Sequence, residues 1–283
     1  MPRLHAPNGL AALAPLWREG RTGFELARLL RDPRFRHADR HAGCGRPVLL
    51  VPGFLAGDES LGVLARWLRR SGYRTRGAGT RLNPDCFTKV LDGLEVRAQA
   101  LRRATGQRVA IVGQSQGGTL GRGLAIRRPD LVSGLVAMGS PLLDPLAIHP
   151  AVRVQIRAIG ALGSLGARGL FSRDCLDGGC CAELHPTAAR PFPPTVGFVS
   201  VYSRSDGIVD WRACLDPAAR HVEVGASHTG MAVNAQAYVA VAAALEGFGA
   251  AERSSSETHS MCGVWGNMST GRTRRSTQPA SAS

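Results

Sequence analysis

Residues 109–118 read VAIVGQSQGG, and the order of residue types in that stretch decides how the chain folds. Val109 to Val112 is an unbroken run of β-branched and small apolar residues. Such a run suits a strand buried on both faces of a parallel sheet better than a half-exposed, alternating one. The stretch that follows Ser115 spaces Leu120, Leu124 and Ile126 near helical intervals and stops at Pro129. The local order is therefore strand, tight turn, helix, with Ser115 in the turn.

In that context Gly113-Gln114-Ser115-Gln116-Gly117 satisfies G-x-S-x-G, a strained turn that projects a serine hydroxyl above a sheet. The glycines have a steric reason: in so sharp a turn, a Cβ two residues either side of the serine would meet the neighbouring strand or helix. The helix after the turn aims its free N–H groups at the same point, which favours negative charge developing there.

Working outward, the same grammar repeats. RPVLLVPGF (46–54) reads as a buried central strand ending in a Pro-Gly turn, ESLGVLARWLRRSGY (59–73) as a helix and YRTRGAG (73–79) as a weaker strand. CFTKVLDGLEVRAQALRRATGQ (86–107) is a long helix leading into the serine strand, and LVSGLVAMGSP (131–141) is another strand. Two more strands, TVGFVSVYS (195–203) and HVEVGAS (221–227), precede the helix AQAYVAVAAALEGFG (235–249). Strands alternating with helices imply an α/β class with a mostly parallel central sheet and helices on both faces. Residues 46–249 form that domain. Within it, 141–194 breaks the pattern and reads as a small insertion, a cap or lid above the sheet. Residues 1–45 are a preamble of one or two short amphipathic helices packing outside the sheet. Residues 250–283, rich in Ser, Thr and Arg without apolar period, read as a disordered tail.

A serine hydroxyl is a weak nucleophile until a base takes its proton, and the base needs a carboxylate to orient it. On this layout the chain order is serine, acid, histidine. Asp206, in the loop after one strand, and His228, in the loop after the next, meet that order. Asp210 is the alternative acid and His149, in the insertion, a distant alternative base. Backbone N–H donors for an oxyanion map to Gln116, just after the serine, and to Phe54, just after the first central strand.

The net charge of +14 comes almost wholly from arginine, with Lys89 the one lysine. The arginines are scattered, with no basic stripe interleaved with aromatics, which argues against nucleic acid as a partner. Weak contact with an anionic lipid surface is compatible with the charge. No apolar run approaches the ~20 residues that span a bilayer. GLAALAPLW (9–17) lacks a small-residue cleavage site, so the expected location is cytoplasmic, with secretion the alternative. Cys175, Cys180, Cys181 and His185 form C-x4-C-C-x3-H, but adjacent cysteines suit one tetrahedral metal poorly, so no metal site is assigned. A Cys175–Cys181 or Cys180–Cys214 disulfide fits an exported protein, free thiols an internal one.

The stretches PVLLVPGFLAG, VAIVGQSQGG with LVSGLVAMGSP, and VYSRSDGIVDW with HVEVGASHTGM together resemble the α/β-hydrolase superfamily, and within it small bacterial lipases and esterases. The resemblance covers roughly residues 46–248. It implies the α/β-hydrolase fold, Ser115 as nucleophile, Asp206 as acid and His228 as base, and it favours Asp206 over Asp210. It also implies hydrolysis of a small-molecule acyl ester or lipid through an acyl-enzyme, with no cofactor. An acyltransferase or thioesterase on the same three residues, or a non-catalytic binding protein of this fold, are the alternatives. Oligomeric state stays open.

Overall fold

Every residue of strand β1 (Pro47–Val51) is buried, because its alternating side chains enter two different cores. Val48 and Leu50 join one apolar cluster, Leu49 and Val51 the other. Strand β3 (Val109–Gln114) divides the same way, Ala110 and Val112 against Val109 and Ile111, as does β4 (Val132–Met138), Val136 and Met138 against Leu135 and Ala137. A strand apolar on both faces must be covered on both faces. The helices do this. Helices α1 (Thr22–Arg31), α3 (Gly62–Arg70) and α8 (Ala235–Gly266) contribute Leu29, Leu64 and Val241 to the first cluster. Helices α4 (Phe87–Thr105) and α5 (Gln116–Arg127) contribute Leu91, Leu94, Leu120 and Leu124 to the second. A short α2 (Pro33–Arg36) follows α1.

This computed structural model describes residues 16–80, 86–167, 170–176 and 190–266. With β2 (Arg74–Gly77), β5 (Gly197–Tyr202) and β6 (Arg220–Glu223), the strands form one six-stranded sheet in the order β2-β1-β3-β4-β5-β6. All five pairings are parallel. The chain leaves β1 toward β2 and then returns to β3 on its other side. That reversal leaves a crevice outside the carboxyl ends of β1 and β3, where the loops diverge. Ser115 follows β3, so it stands at the crevice.

Several details differ from the sequence reading. Strand β6 stops at Glu223 rather than running to Ser227, because the amides of Gly225 and Ala226 donate to the side chains of Gln236 and Ser203, and that of Ser227 to Glu25. Helix α8 continues to Gly266, into the stretch whose composition suggests a tail, and residues 267–283 lie outside the described residues. The helix expected over LAALAPLW lies mostly outside them too; the described chain starts in a 3-10 turn, Leu16–Arg21. In the insertion, α6 (Pro150–Ser164) and α7 (Arg173–Leu176) are described, and an antiparallel bridge between Ile148 and Val209 ties the insertion to the loop after β5. Cys214 is a free, buried thiol, so the Cys180–Cys214 disulfide is not formed. Its environment is the reason: it sits in a small apolar cluster with Ile148 and Val209. Cys175 is disulfide-bonded, while Cys180, Cys181 and His185 lie outside the described residues. No described helix is long and apolar enough to cross a membrane.

Helix α5 is pinned from behind by a buried ion pair. Arg122 Nε donates to Asp216 Oδ2 at 2.7 Å, with side chains only 6% and 3% exposed, and Ala218 N donates to Asp216 Oδ1 at 2.9 Å. Removing the carboxylate takes its counter-charge from a buried guanidinium. Asp216→Ala should therefore cost about 3–5 kcal/mol in urea unfolding; a loss under about 1 kcal/mol would show that the pair does not anchor the helix.

Candidate active site

Ser115 occupies the turn between β3 and α5 with φ 53° and ψ −126°, one of three non-glycine residues with positive φ among those described. Backbone of this kind persists only where the surroundings enforce it. They do so by close approach. A Cβ on Gly117 would run into the backbone carbonyl of Val51, and one on Gly113 into the backbone of Gly117 and Gly118. The turn is further held by Ser115 N donating to Met138 O at 2.8 Å, at the end of β4.

Asp206 and His228 meet in the neighbouring loops. His228 Nδ1 lies 2.7 Å from Asp206 Oδ2, and both side chains are almost fully buried. The other carboxylate oxygen, Oδ1, accepts from Ile208 N and Val209 N, each at 2.8 Å, which fixes the plane of the acid. With Nδ1–H donating to Asp206, Nε2 is the imidazole atom left to act as a base. The pair is tied to the serine turn from two sides. Gln114 Nε2, one residue before Ser115, donates to His228 O at 3.0 Å. Gly139, one residue after Met138, packs so tightly on the pair that a Cβ there would sit 3.1 Å from Asp206 Oδ2 and 3.2 Å from His228 Nδ1.

The alternatives are engaged elsewhere. Asp210 caps the 3-10 turn Trp211–Cys214, accepting from Arg212 N at 3.0 Å. His149 caps α6, its Nδ1 accepting from Ala151 N at 3.1 Å. Phe54 and Gln116 both line the cleft that holds Ser115. Gln116 opens α5, where the helix itself leaves the first N–H groups unpaired. Its side-chain Oε1 is buried without a hydrogen-bond partner. The cleft, of about 150 Å³, is lined by Leu146, Ile148, Val152, Ile156 and Phe171 from residues 141–194 together with Phe54 and Phe87. Among the described residues no basic or acidic side chain lines it, and no cluster of His, Cys, Asp and Glu has the form of a metal site.

Sequence reasoning missed two carboxylates. Glu19 and Glu25, in the segment read as a preamble, accept hydrogen bonds from the backbone of the His228 loop. Glu25 had one legible signal, since it precedes the buried Leu29 by four residues and so shares its helix face. Glu19 had none.

A family model described as alpha/beta hydrolase fold matches residues 85–159. In shape the chain is similar to the mature lipase BlEst2 of Bacillus licheniformis, with a TM-score of 0.54 at 16% identity, covering 76% of this chain and 96% of that one. This is an α/β-hydrolase fold. The α/β-hydrolase likeness extends to a structure from the metagenome-derived lipolytic enzymes LipS and LipT, with a TM-score of 0.52 at 14% identity over 72% of this chain and 93% of that chain. In sequence, 120 residues are 35% identical to the 2-hydroxy-6-oxo-6-(2'-aminophenyl)hexa-2,4-dienoic acid hydrolase of Metapseudomonas resinovorans, covering 40% of this chain and 41% of that protein. The chain thus matches under half the length of that curated relative.

Burial alone would pull the His228 pKa down, but the charge and hydrogen bond of Asp206, helped by the charge of Glu19, outweigh it and hold the imidazole above its ordinary 6.5. An NMR titration of His228 should accordingly show a midpoint above 6.5. In Asp206→Asn the midpoint should fall, because desolvation then meets less opposition. A wild-type midpoint at or below 6.5 would contradict this balance.

Proposed function

We propose that the chain is a serine hydrolase of carboxylic esters. Ser115 Oγ attacks the ester carbonyl while His228 Nε2 takes its proton, and Asp206 orients the imidazole and stabilises its charged form. The N–H groups of Gln116 and Phe54 receive the developing oxyanion. The alcohol leaves with the proton from His228, an acyl-Ser115 ester remains, and water deprotonated by His228 releases the acid. The observation that carries this reading is the 2.7 Å contact of His228 Nδ1 with Asp206 Oδ2 beside a serine held at positive φ. Residues 46–249 act as the hydrolase domain and 141–194 as its cap.

The cleft supports an apolar acyl group. At about 150 Å³ it is smaller than the ~300 Å³ at which pockets for drug-sized ligands begin, so a short acyl chain is the favoured substrate. The curated relative's name favours a second reading, hydrolysis of a keto-dienoic acid. Against it stands the lining, which offers no described cation to pair a substrate carboxylate. Short-chain p-nitrophenyl ester turnover decides between them. Ser115→Ala should lower kcat/KM for such an ester by about 10⁴- to 10⁶-fold. A variant keeping more than a tenth of the wild-type rate, or turnover of a keto-dienoic acid but of no ester, would overturn the proposal.

A further inference from the structure

Two carboxylates from outside the sheet hold the loop that carries His228. Glu19 Oε1 accepts from His228 N and from Gly207 N, each at 3.0 Å, and Oε2 accepts from Thr229 N at 2.9 Å and Thr229 Oγ1 at 3.0 Å. One residue earlier, Glu25 Oε1 accepts from Ser227 N at 2.9 Å and Oε2 from Ser227 Oγ at 3.1 Å. Ser227 Oγ then accepts from Gly230 N at 3.1 Å. Four consecutive amides, 227 to 230, are thus occupied. They open the 3-10 turn Thr229–Val233, whose first N–H groups have no partner within the turn. Of the two carboxylates, Glu19 is the one that touches both loops of the site, since Gly207 is the residue after Asp206.

The geometry points to Glu19 as a positioning residue for His228: its carboxylate, supplied by the N-terminal segment, locks the acid loop to the base loop and sets the imidazole in place. The assignment rests on the reading of His228 as the base. Glu19 also adds negative charge near the ring. Burial opposes its ionisation, yet its donors at Thr229, His228 and Gly207 outweigh that and hold its pKa below the usual value. At neutral pH it is therefore charged, and it favours the imidazolium that forms when Ser115 loses its proton. The charges acting on the imidazole are Asp206 and Glu19. Of the other charged groups on elements packed against the loop, Arg21, Arg28 and Arg66 face solvent and Arg18 stacks over Trp17.

The test is the His228 titration by NMR, read beside p-nitrophenyl acetate kinetics. Glu19→Gln keeps the shape and removes the charge. Its midpoint should fall toward the ordinary histidine value, and kcat should drop on the order of 10- to 100-fold, with KM within about twofold. Glu25→Gln, which alters only the hold on Ser227, should leave the midpoint in place. Glu19→Asp keeps the charge but shortens the reach, so the midpoint should stay raised while kcat falls. Wild-type kcat in Glu19→Asp, an unmoved midpoint in Glu19→Gln, or an equal shift in Glu25→Gln would overturn the assignment. The titration needs no substrate, so a protein with a shifted midpoint but no ester turnover would refute the ester reading separately.

Discussion

The arrangement depends on one backbone conformation, the positive φ of Ser115 between β3 and α5. A non-glycine residue is held there only because β1, β3 and α5 approach one another too closely for side chains at Gly113 and Gly117. That approach lifts the serine hydroxyl clear of the sheet and puts the first free amides of α5 beside it. The topological reversal at β1 and β3 supplies the space above it.

Asp206 and His228 are fixed differently. They sit on loops, which alone would be too mobile to hold a hydrogen bond of 2.7 Å. The structure compensates by satisfying the loop amides with carboxylates: Asp206 takes those of Ile208 and Val209, Glu19 those of Gly207, His228 and Thr229, and Glu25 that of Ser227. Each of these carboxylates is stabilised by the donors it orders. The N-terminal segment is therefore bonded to the loops of Asp206 and His228 and not a separate attachment.

Much of this was legible in the sequence because it is local. The apolar runs at β1, β3 and β4 and the G-x-S-x-G spacing are short-range patterns with steric causes, and Asp206 and His228 were each placed by the strand pattern just before them. Asp206 is the carboxylate that meets His228 Nδ1, while Asp210 caps a 3-10 turn. What the sequence hid is long-range. Glu19 reaches His228 across 209 positions, and no period or spacing records such a contact. The end of β6 was misplaced because side chains claim the next amides: Gln236 that of Gly225, Ser203 that of Ala226 and Glu25 that of Ser227.

The central claim is that Ser115 is an activated nucleophile rather than a serine in a glycine-rich turn. A fluorophosphonate probe, with the adduct located by mass spectrometry, tests it most directly. The account predicts stoichiometric phosphonylation of Ser115, slowed in His228→Gln. Labelling at another residue, or none under conditions that label serine hydrolases, would contradict it.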